Sequence, residues 1–338
     1  MKYSSGIVAL CLIASVLGSQ IRFQSWNLRY DSKPDSISAA ETITSLNATV
    51  PYDSEITYYT PSSEVAWSSR RIGVANEFAF NRPNVFCVQE ALKRQVYDLA
   101  ELLPDYAWVG VGRDDGKEAG EYEAIFYRKN SIKLIDWETF WLSDTPFEPS
   151  KYPDAGSYRS ATVAHLGSKF NNFTAICTHW DDRSDRQRQL AASLLRYRGA
   201  YEAETTNAPV FLFGDFNSRS AGANPGGYKI ITGEQDMLSI NRTFESQYKS
   251  QLSETFVWKD VLKETPVHNR MGHYATFNGF YDIGNTQAFG RIDFVMAGSN
   301  GGWGMSRYKV GEVFYDHGVQ LSDHRPCVAD VTINKIKK

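Results

Sequence analysis

Acidic, amide and imidazole side chains stand at the ends of apolar, strand-like runs in this sequence, where burying them would be costly without a purpose. Trp26-Asn27-Leu28 closes one run, Val88-Gln89-Glu90 a second and Thr178-His179-Trp180 a third. Gly214-Asp215-Phe216-Asn217 follows the apolar Val210 to Phe213, Arg291-Ile292-Asp293 opens another run, and Ser322-Asp323-His324-Arg325-Pro326 precedes the last. Singly, each has an ordinary explanation, because a strand-terminal Asp or Asn makes turns and a lone His is more often a satisfied core residue than a catalyst. Together they carry a chemical consequence. Glu90, Asp215, Asp293 and Asp323 brought to one place would repel, so the cluster needs a cation, and carboxylate and amide oxygens select a hard ion such as Mg²⁺ or Mn²⁺. The Cys residues lie too far from these polar ends for a zinc thiolate site.

The elements that must position these residues are legible as apolar runs alternating with helical segments, an α/β layered pattern. The expected strands run over 22–26, 84–88, 108–112, 124–128, 162–166, 173–178, 210–214, 291–296 and 327–333, several of them alternating apolar with polar. Helices are expected over 67–80, 93–103 and 185–204, the last opened by Ser184 and Gln187 at capping-box spacing. Two polar stretches, 31–64 and 219–254, are rich in Ser, Thr, Asn and Gly and read as surface insertions. The candidate residues are strewn from Asn27 to His324, so one domain over 20–335 is expected: both ends must fold together for them to meet.

The N-terminus has the shape of a secretory signal: a short polar start, an apolar run from Gly6 to Leu17, and small residues Val16 and Gly18 where a peptidase would cut. The run falls short of the roughly 20 residues that span a bilayer, so residues 1–18 are expected to be cleaved and the protein secreted, with no transmembrane segment. Sequons at Asn47, Asn172 and Asn241 fit that address as glycosylation candidates. Removing Cys11 with the signal leaves Cys87, Cys177 and Cys327, an odd set that is no disulfide scaffold. At least one of them is expected to be a buried thiol. With 338 residues, 42% apolar and 14% aromatic, the chain excludes disorder and coiled coil. Its formal charge of -3 weighs against a tight polynucleotide binder held by a basic surface. A bound cation would supply the positive charge instead.

The set Trp26-Asn27-Leu28-Arg29-Tyr30, Gln89-Glu90-Ala91-Leu92, Thr178-His179, Gly214-Asp215-Phe216-Asn217, Arg291-Ile292-Asp293 and Ser322-Asp323-His324-Arg325-Pro326 resembles the ordered motifs of the endonuclease/exonuclease/phosphatase superfamily, the deoxyribonuclease I-like fold. Stretches from Gly110 to Tyr127 and from Thr139 to Ser143 further resemble a secreted and bacterial branch similar to the carbon catabolite repressor type of 3'-5' exonucleases. The resemblance implies a four-layer α/β/β/α sandwich with two mixed sheets flanked by helices. It implies an Mg²⁺-dependent phosphodiesterase acting on nucleic acid. A phospholipid or other small phosphodiester hydrolase of sphingomyelinase type, or a secreted glycoprotein that kept the fold without the chemistry, are the alternatives. A monomer is plausible.

By the same resemblance Glu90 is the principal metal ligand, with Asn27 beside it and Asp323 assisting the metal or the water. Asp215 orients or deprotonates the attacking water, and Asn217 hydrogen-bonds the phosphoryl group. His324 contacts the phosphate with Asp293 fixing its tautomer, and His179 is the second histidine of the site. Arg113 and Arg183 are candidates for gripping a further phosphate, with surface ion pairs as the alternative, and Asp114-Asp115-Gly116 has the composition of a turn. Trp180 and the run Asp181-Asp182-Arg183 depart from the family pattern.

Overall fold

A computed structural model describes residues 18–46, 64–281, 288–314 and 319–334. Among the described residues thirteen strands alternate with helices in chain order: β1 (Ser19–Asn27), α1 (Ala39–Ser45), α2 (Trp67–Asn81), β2 (Val85–Leu92), α3 (Lys93–Leu102), β3 (Tyr106–Val109), β4 (Glu121–Arg128), β5 (Lys133–Trp141), β6 (Ser160–Gly167), β7 (Asn172–His179), α4 (Asp185–Thr206), β8 (Val210–Asp215), α5 (Gly226–Ile231), α6 (Arg242–Gln247), β9 (Trp258–Asp260), α7 (Val261–Glu264), β10 (Arg270–Gly272), β11 (Asp293–Gly298), β12 (Trp303–Val310) and β13 (Cys327–Ile333). They form two mixed sheets, a seven-stranded one in the order β10-β12-β13-β1-β2-β4-β3 and a six-stranded one in the order β5-β6-β7-β8-β11-β9.

Side-chain alternation along the strands builds the layers, since successive residues point to opposite faces. On β1, Ile21 and Phe23 join Cys87, Ile125, Phe173, Cys177, Phe213 and Val331 between the sheets, while Trp26 faces the other way, toward Trp67, Val74 and Phe78 of α2. On β7, Ile176 turns outward to Leu194, Leu195 and Ala191 of α4. The result is the α/β/β/α sandwich, with α2 and α3 outside one sheet and α4 to α6 outside the other.

Parallel neighbours matter most for the site. β1 runs parallel to β2 and β7 parallel to β8, so in each pair two C-terminal ends lie side by side. Register then places Asn27 opposite Gln89 and His179 opposite Asp215, while antiparallel β11 sets Asp293 opposite Asp215. The antiparallel pairing of β13 with β1 sets Cys327 opposite Ser25, so the stretch entering β13 starts at the same edge.

Several expectations need correction. Residues 219–254 are not merely a surface insertion: Tyr228, Ile230, Ile231, Phe244 and Tyr248 from this stretch are buried against α4 and the outer face of the six-stranded sheet. The capping box at α4 is half formed. Ser184 Oγ accepts the Gln187 N–H, but the Gln187 side chain reaches Asp154 and the Ser184 N–H goes to Asp181 instead. The strand expected at 108–112 ends at Val109, and β5, β9, β10 and β12 were not foreseen. Cys87 and Cys177 form a disulfide between β2 and β7, and Cys327 is the buried free thiol that was expected of at least one of the three. The signal segment apart from Gly18, and Asn47, lie outside the described residues. Asn172 is exposed at the start of β7, whereas the Asn241 side chain caps α6 and donates to Asp144 O at 2.6 Å. Among the described residues no helix is long and apolar enough to cross a membrane.

Candidate active site

Seven of the eight residues expected to do chemistry or hold metal lie within 4.0 Å of another member, at one edge where the two sheets meet, and Asp323 stands beside them within reach of the Glu90 charge. The seven-stranded sheet supplies Asn27 from the end of β1, Glu90 from β2, and Asp323 and His324 from the stretch before β13. The six-stranded sheet supplies His179 and Asp215 as the last residues of β7 and β8, Asn217 just beyond, and Asp293 as the first residue of β11. Glu90 sits at a break in the β2–β4 register with φ at 61°, and Asn217 has φ at 46°. Side chains are uncommon in this left-handed region, and strain there is tolerated where surrounding structure enforces it. Both turns redirect a strand-end side chain into the site.

Asn27 Nδ2 bridges the sheets, donating to Glu90 Oε1 at 2.9 Å and to Asp215 Oδ2 at 3.0 Å. Its Oδ1 accepts the Arg29 N–H, so in this arrangement Asn27 bridges two carboxylates instead of offering them an oxygen ligand. His179 Nε2 lies 3.5 Å from Asp215 Oδ2 and 4.0 Å from Glu90 Oε1. His324 Nε2 lies 3.7 Å from the same Asp215 oxygen, and its Nδ1 is 2.8 Å from Asp293 Oδ2. Asp215 is thus the hub. Asn217 Nδ2 meets Trp180 O and His179 Nε2, each at 3.1 Å, and its backbone N–H donates to Asp215 Oδ1 at 2.8 Å. Its amide therefore orients His179 where a phosphoryl contact was expected.

Burial sets the electrostatics. It raises Asp215, reinforced by the Asp293 charge and opposed by both histidines, and it pushes Asp323 up to about 6 against the pull of His324. Burial opposes a charge on His324, but Asp293 and Asp215 outweigh it and hold the imidazole protonated well above its ordinary range. His179 goes the other way, to about 3, through burial and the neighbouring Arg159. One histidine is a cation and the other neutral. Glu90, His179 and Asp215 present ligand atoms within 4.8 Å of one another, as do Asp215, Asp293 and His324. An oxygen-rich donor set of partly uncompensated carboxylates fits a hard divalent cation.

Both arginines considered for gripping a phosphate stand in ion pairs, the alternative reading. Arg113 is buried and binds the Glu121 carboxylate with both terminal nitrogens, at 2.8 and 2.6 Å. Arg183 has a side chain 76% exposed and stands 3.9 Å from Asp182 on the surface. The turn reading of Asp114-Asp115-Gly116 holds, with Asp115 Oδ1 accepting the N–H groups of Lys117, Glu118 and Ala119. The Asp181-Asp182 run is structural. Asp181 accepts three backbone N–H groups ahead of α4, and Asp182 holds Arg159 at 2.7 Å, while Trp180 stacks on Phe216.

Three groups escaped the sequence reading. Arg159, at the entry to β6, approaches both His179 ring nitrogens at 3.0 and 3.2 Å. Glu121 lies 3.6 Å from His179 Nδ1. Fully buried Arg70 of α2 donates to four carbonyls, those of Val65, Leu28, Arg29 and Leu321. It ties the loop after Asn27 to the loop before Asp323.

The sequence profile of the Endonuclease/Exonuclease/phosphatase family matches residues 25–324, which spans every one of these side chains. The chain belongs to this family. Endonuclease/exonuclease/phosphatase proteins hydrolyse phosphoester bonds, generally with divalent metal ions, and the chain is a hydrolase of that class. Among solved structures it is similar to an endonuclease/exonuclease/phosphatase from Bacteroides vulgatus, at 27% identity and TM-score 0.69, covering 94% of this chain and 100% of that one. A mannosyl-6-phosphatase from Bacteroides thetaiotaomicron is 23% identical with TM-score 0.64, over 92% of this chain and 99% of that one. TDP2 from D. rerio, solved with a single-strand DNA product, is 15% identical with TM-score 0.57, over 93% and 99%. At these last two identities the likeness is one of fold. No curated protein sequence matches the chain.

Proposed function

We propose that this protein is a secreted, Mg²⁺- or Mn²⁺-dependent phosphodiesterase that acts on nucleic acid. The observation that carries the phosphodiester chemistry is the meeting of Glu90, Asp215, His179 and the His324–Asp293 pair where the sheets join. Glu90 would hold the cation with Asp323 nearby, and the bound cation would offset charge on the phosphoryl oxygens. Asp215 would act as the base for the attacking water: burial and the Asp293 charge raise it, while the positive charge of His324 favours its anionic form. His324 points a protonated Nε2 into the same space while Asp293 fixes its ring, so it donates to a phosphoryl oxygen as negative charge grows there. Neutral His179, oriented by Asn217, would stand beside the same Asp215 oxygen.

Support for a nucleic acid substrate is the resemblance to 3'-5' exonucleases and the shared fold with TDP2, whose structure holds single-strand DNA. The mannosyl-6-phosphatase neighbour favours a second reading, removal of a terminal phosphate from a sugar. Secretion rests on the apolar N-terminal run, and the Cys87–Cys177 bond suits an oxidising compartment. The test is turnover of single-stranded RNA, single-stranded DNA, a nitrophenyl phosphodiester and a sugar phosphate, with and without EDTA. Metal-dependent cleavage of the polynucleotides, lost in Asp215→Ala and His324→Ala, is expected. Turnover of the sugar phosphate alone would replace the first reading with the second, and activity surviving both substitutions would overturn the mechanism.

A further inference from the structure

The Cys87–Cys177 bridge joins the two sheets directly beneath the site. Glu90 lies three residues beyond Cys87 on β2, and His179 two residues beyond Cys177 on β7. Both sulfurs are fully buried. Cys177 Sγ packs 3.6 Å from Val88 O of β2 and 3.8 Å from Ala124 O of β4, and Cys87 Sγ lies 3.9 Å from Phe213 O of β8, two residues before Asp215. Gln89 Nε2 covers the bridge, 3.6 Å from Cys177 Sγ, and reaches Ser25 Oγ of β1 at 3.4 Å, two residues before Asn27. The bridge and Gln89 therefore touch or link every strand whose end delivers Asn27, Glu90, His179 or Asp215.

We infer that the Cys87–Cys177 disulfide is a positioning element of the active site, holding the Glu90 half and the His179–Asp215 half in working register. Apolar packing makes the two sheets adhere but is non-directional. On its own it fixes the relative placement of the sheets less tightly than a covalent bond does. The distances across the seam, 3.0 Å from Asn27 to Asp215 and 4.0 Å from His179 to Glu90, belong to pairs with one partner in each sheet. A misplacement of about 1 Å costs roughly 100-fold in rate. A covalent tie two or three residues from the reacting groups tightens that placement where it matters, whereas the buried Cys327 thiol, on β13, makes no such tie.

The inference rests on the metal-dependent hydrolase reading and is tested beside it. Peptide mapping of the purified native protein under non-reducing conditions is expected to show the Cys87–Cys177 pair and one free thiol at Cys327; three free thiols would overturn the inference. The double variant Cys87→Ala/Cys177→Ala, checked for folding by circular dichroism, is expected to bind Mn²⁺ about 10-fold more weakly by calorimetry. Its kcat at saturating metal is expected to fall 10-fold or more, with KM little changed. The Cys327→Ala variant serves as the control and is expected to keep all three values. A folded double variant that loses only melting temperature, with wild-type Mn²⁺ affinity and kcat, makes the bridge a purely structural staple and overturns the inference. Should the double variant not fold, the same readouts are taken on wild-type protein reduced with a phosphine in sub-denaturing urea, against the oxidised protein in the same urea. Unchanged Mn²⁺ affinity and kcat there would overturn it equally. A wild-type protein with no metal-dependent turnover would instead sink the hydrolase reading, so the two failures are told apart.

Discussion

His324 Nδ1 lies 2.8 Å from Asp293 Oδ2 with both side chains buried, an ion pair whose outer nitrogen, Nε2, faces Asp215 3.7 Å away. The carboxylate does two things at once. It fixes the ring so that Nε2 points into the site, and it keeps the imidazole protonated although burial alone would neutralise it. Asp293→Asn preserves the shape and removes the charge. The folded-state pKa of His324 then drops, so the donor is lost as pH rises through a lower value than before. The expected outcome is a fall of roughly 10³-fold in kcat, with the alkaline limb of the pH–rate profile displaced toward neutral. A profile that keeps its alkaline limb would show that His324 charge does not serve the reaction.

Arg70 spends a fully buried guanidinium on carbonyls alone, binding Leu28 O and Leu321 O through one nitrogen and Arg29 O through another. Burial lowers it to about 10, which still leaves it charged at neutral pH. Arg70→Met strips the partners from several buried carbonyls, each costing about 1–3 kcal/mol when left unsatisfied. Urea denaturation is expected to show a loss of at least about 3 kcal/mol. Arg70→Lys, with the charge but a single ammonium in place of the planar fork, is expected to recover only part of it.

These two residues mark what could and could not be read in advance. Asp293 and His324 each sit within a short motif at a strand end, where a charged group beside an apolar run stands out. Arg70 sits in Trp67-Ser68-Ser69-Arg70-Arg71, where an arginine looks like one more solvent-facing charge. Its four acceptors lie up to 251 residues away in sequence, so no local pattern encodes the clamp. The same holds for Arg159 and Glu121, which owe their roles to strand order. Continuous apolar runs located the central strands because both their faces are buried. The same pattern missed β5, which carries Glu, Asp and Lys on an exposed sheet edge, and it mistook 219–254 for surface because Tyr228, Ile230, Ile231 and Phe244 are scattered among polar residues.

Arg159 makes a sharper case for a residue acting through another. Its guanidinium is anchored at 2.7 Å by Asp182 and touches both nitrogens of His179, whose pKa it lowers together with burial. Arg159→Met removes the repulsion but not the burial. The His179 pKa is therefore expected to rise from about 3 while staying below that of free histidine, a shift read from the ring-proton resonances in an NMR titration. A pKa that does not move would assign Arg159 a purely structural place.

Glu123 lies entirely inside the protein, accepting the Ser160 hydroxyl, with burial raising its carboxyl to about 7 despite the nearby Arg113. The ordinary value is 4.5. From about 4.5 up to about 7 the folded protein therefore retains a proton that the unfolded chain releases, so this group makes stability decline as pH rises across that window and level off above it. Glu123→Gln is neutral throughout and keeps the size and a hydrogen-bonding amide. Between pH 4 and pH 8 the variant is expected to gain roughly 3 kcal/mol on the wild type. Denaturation midpoints for both proteins across that range check it. A stability difference that stays constant with pH would mean that Glu123 remains ionised inside the folded protein, held by Arg113 and Arg159 more strongly than burial opposes it.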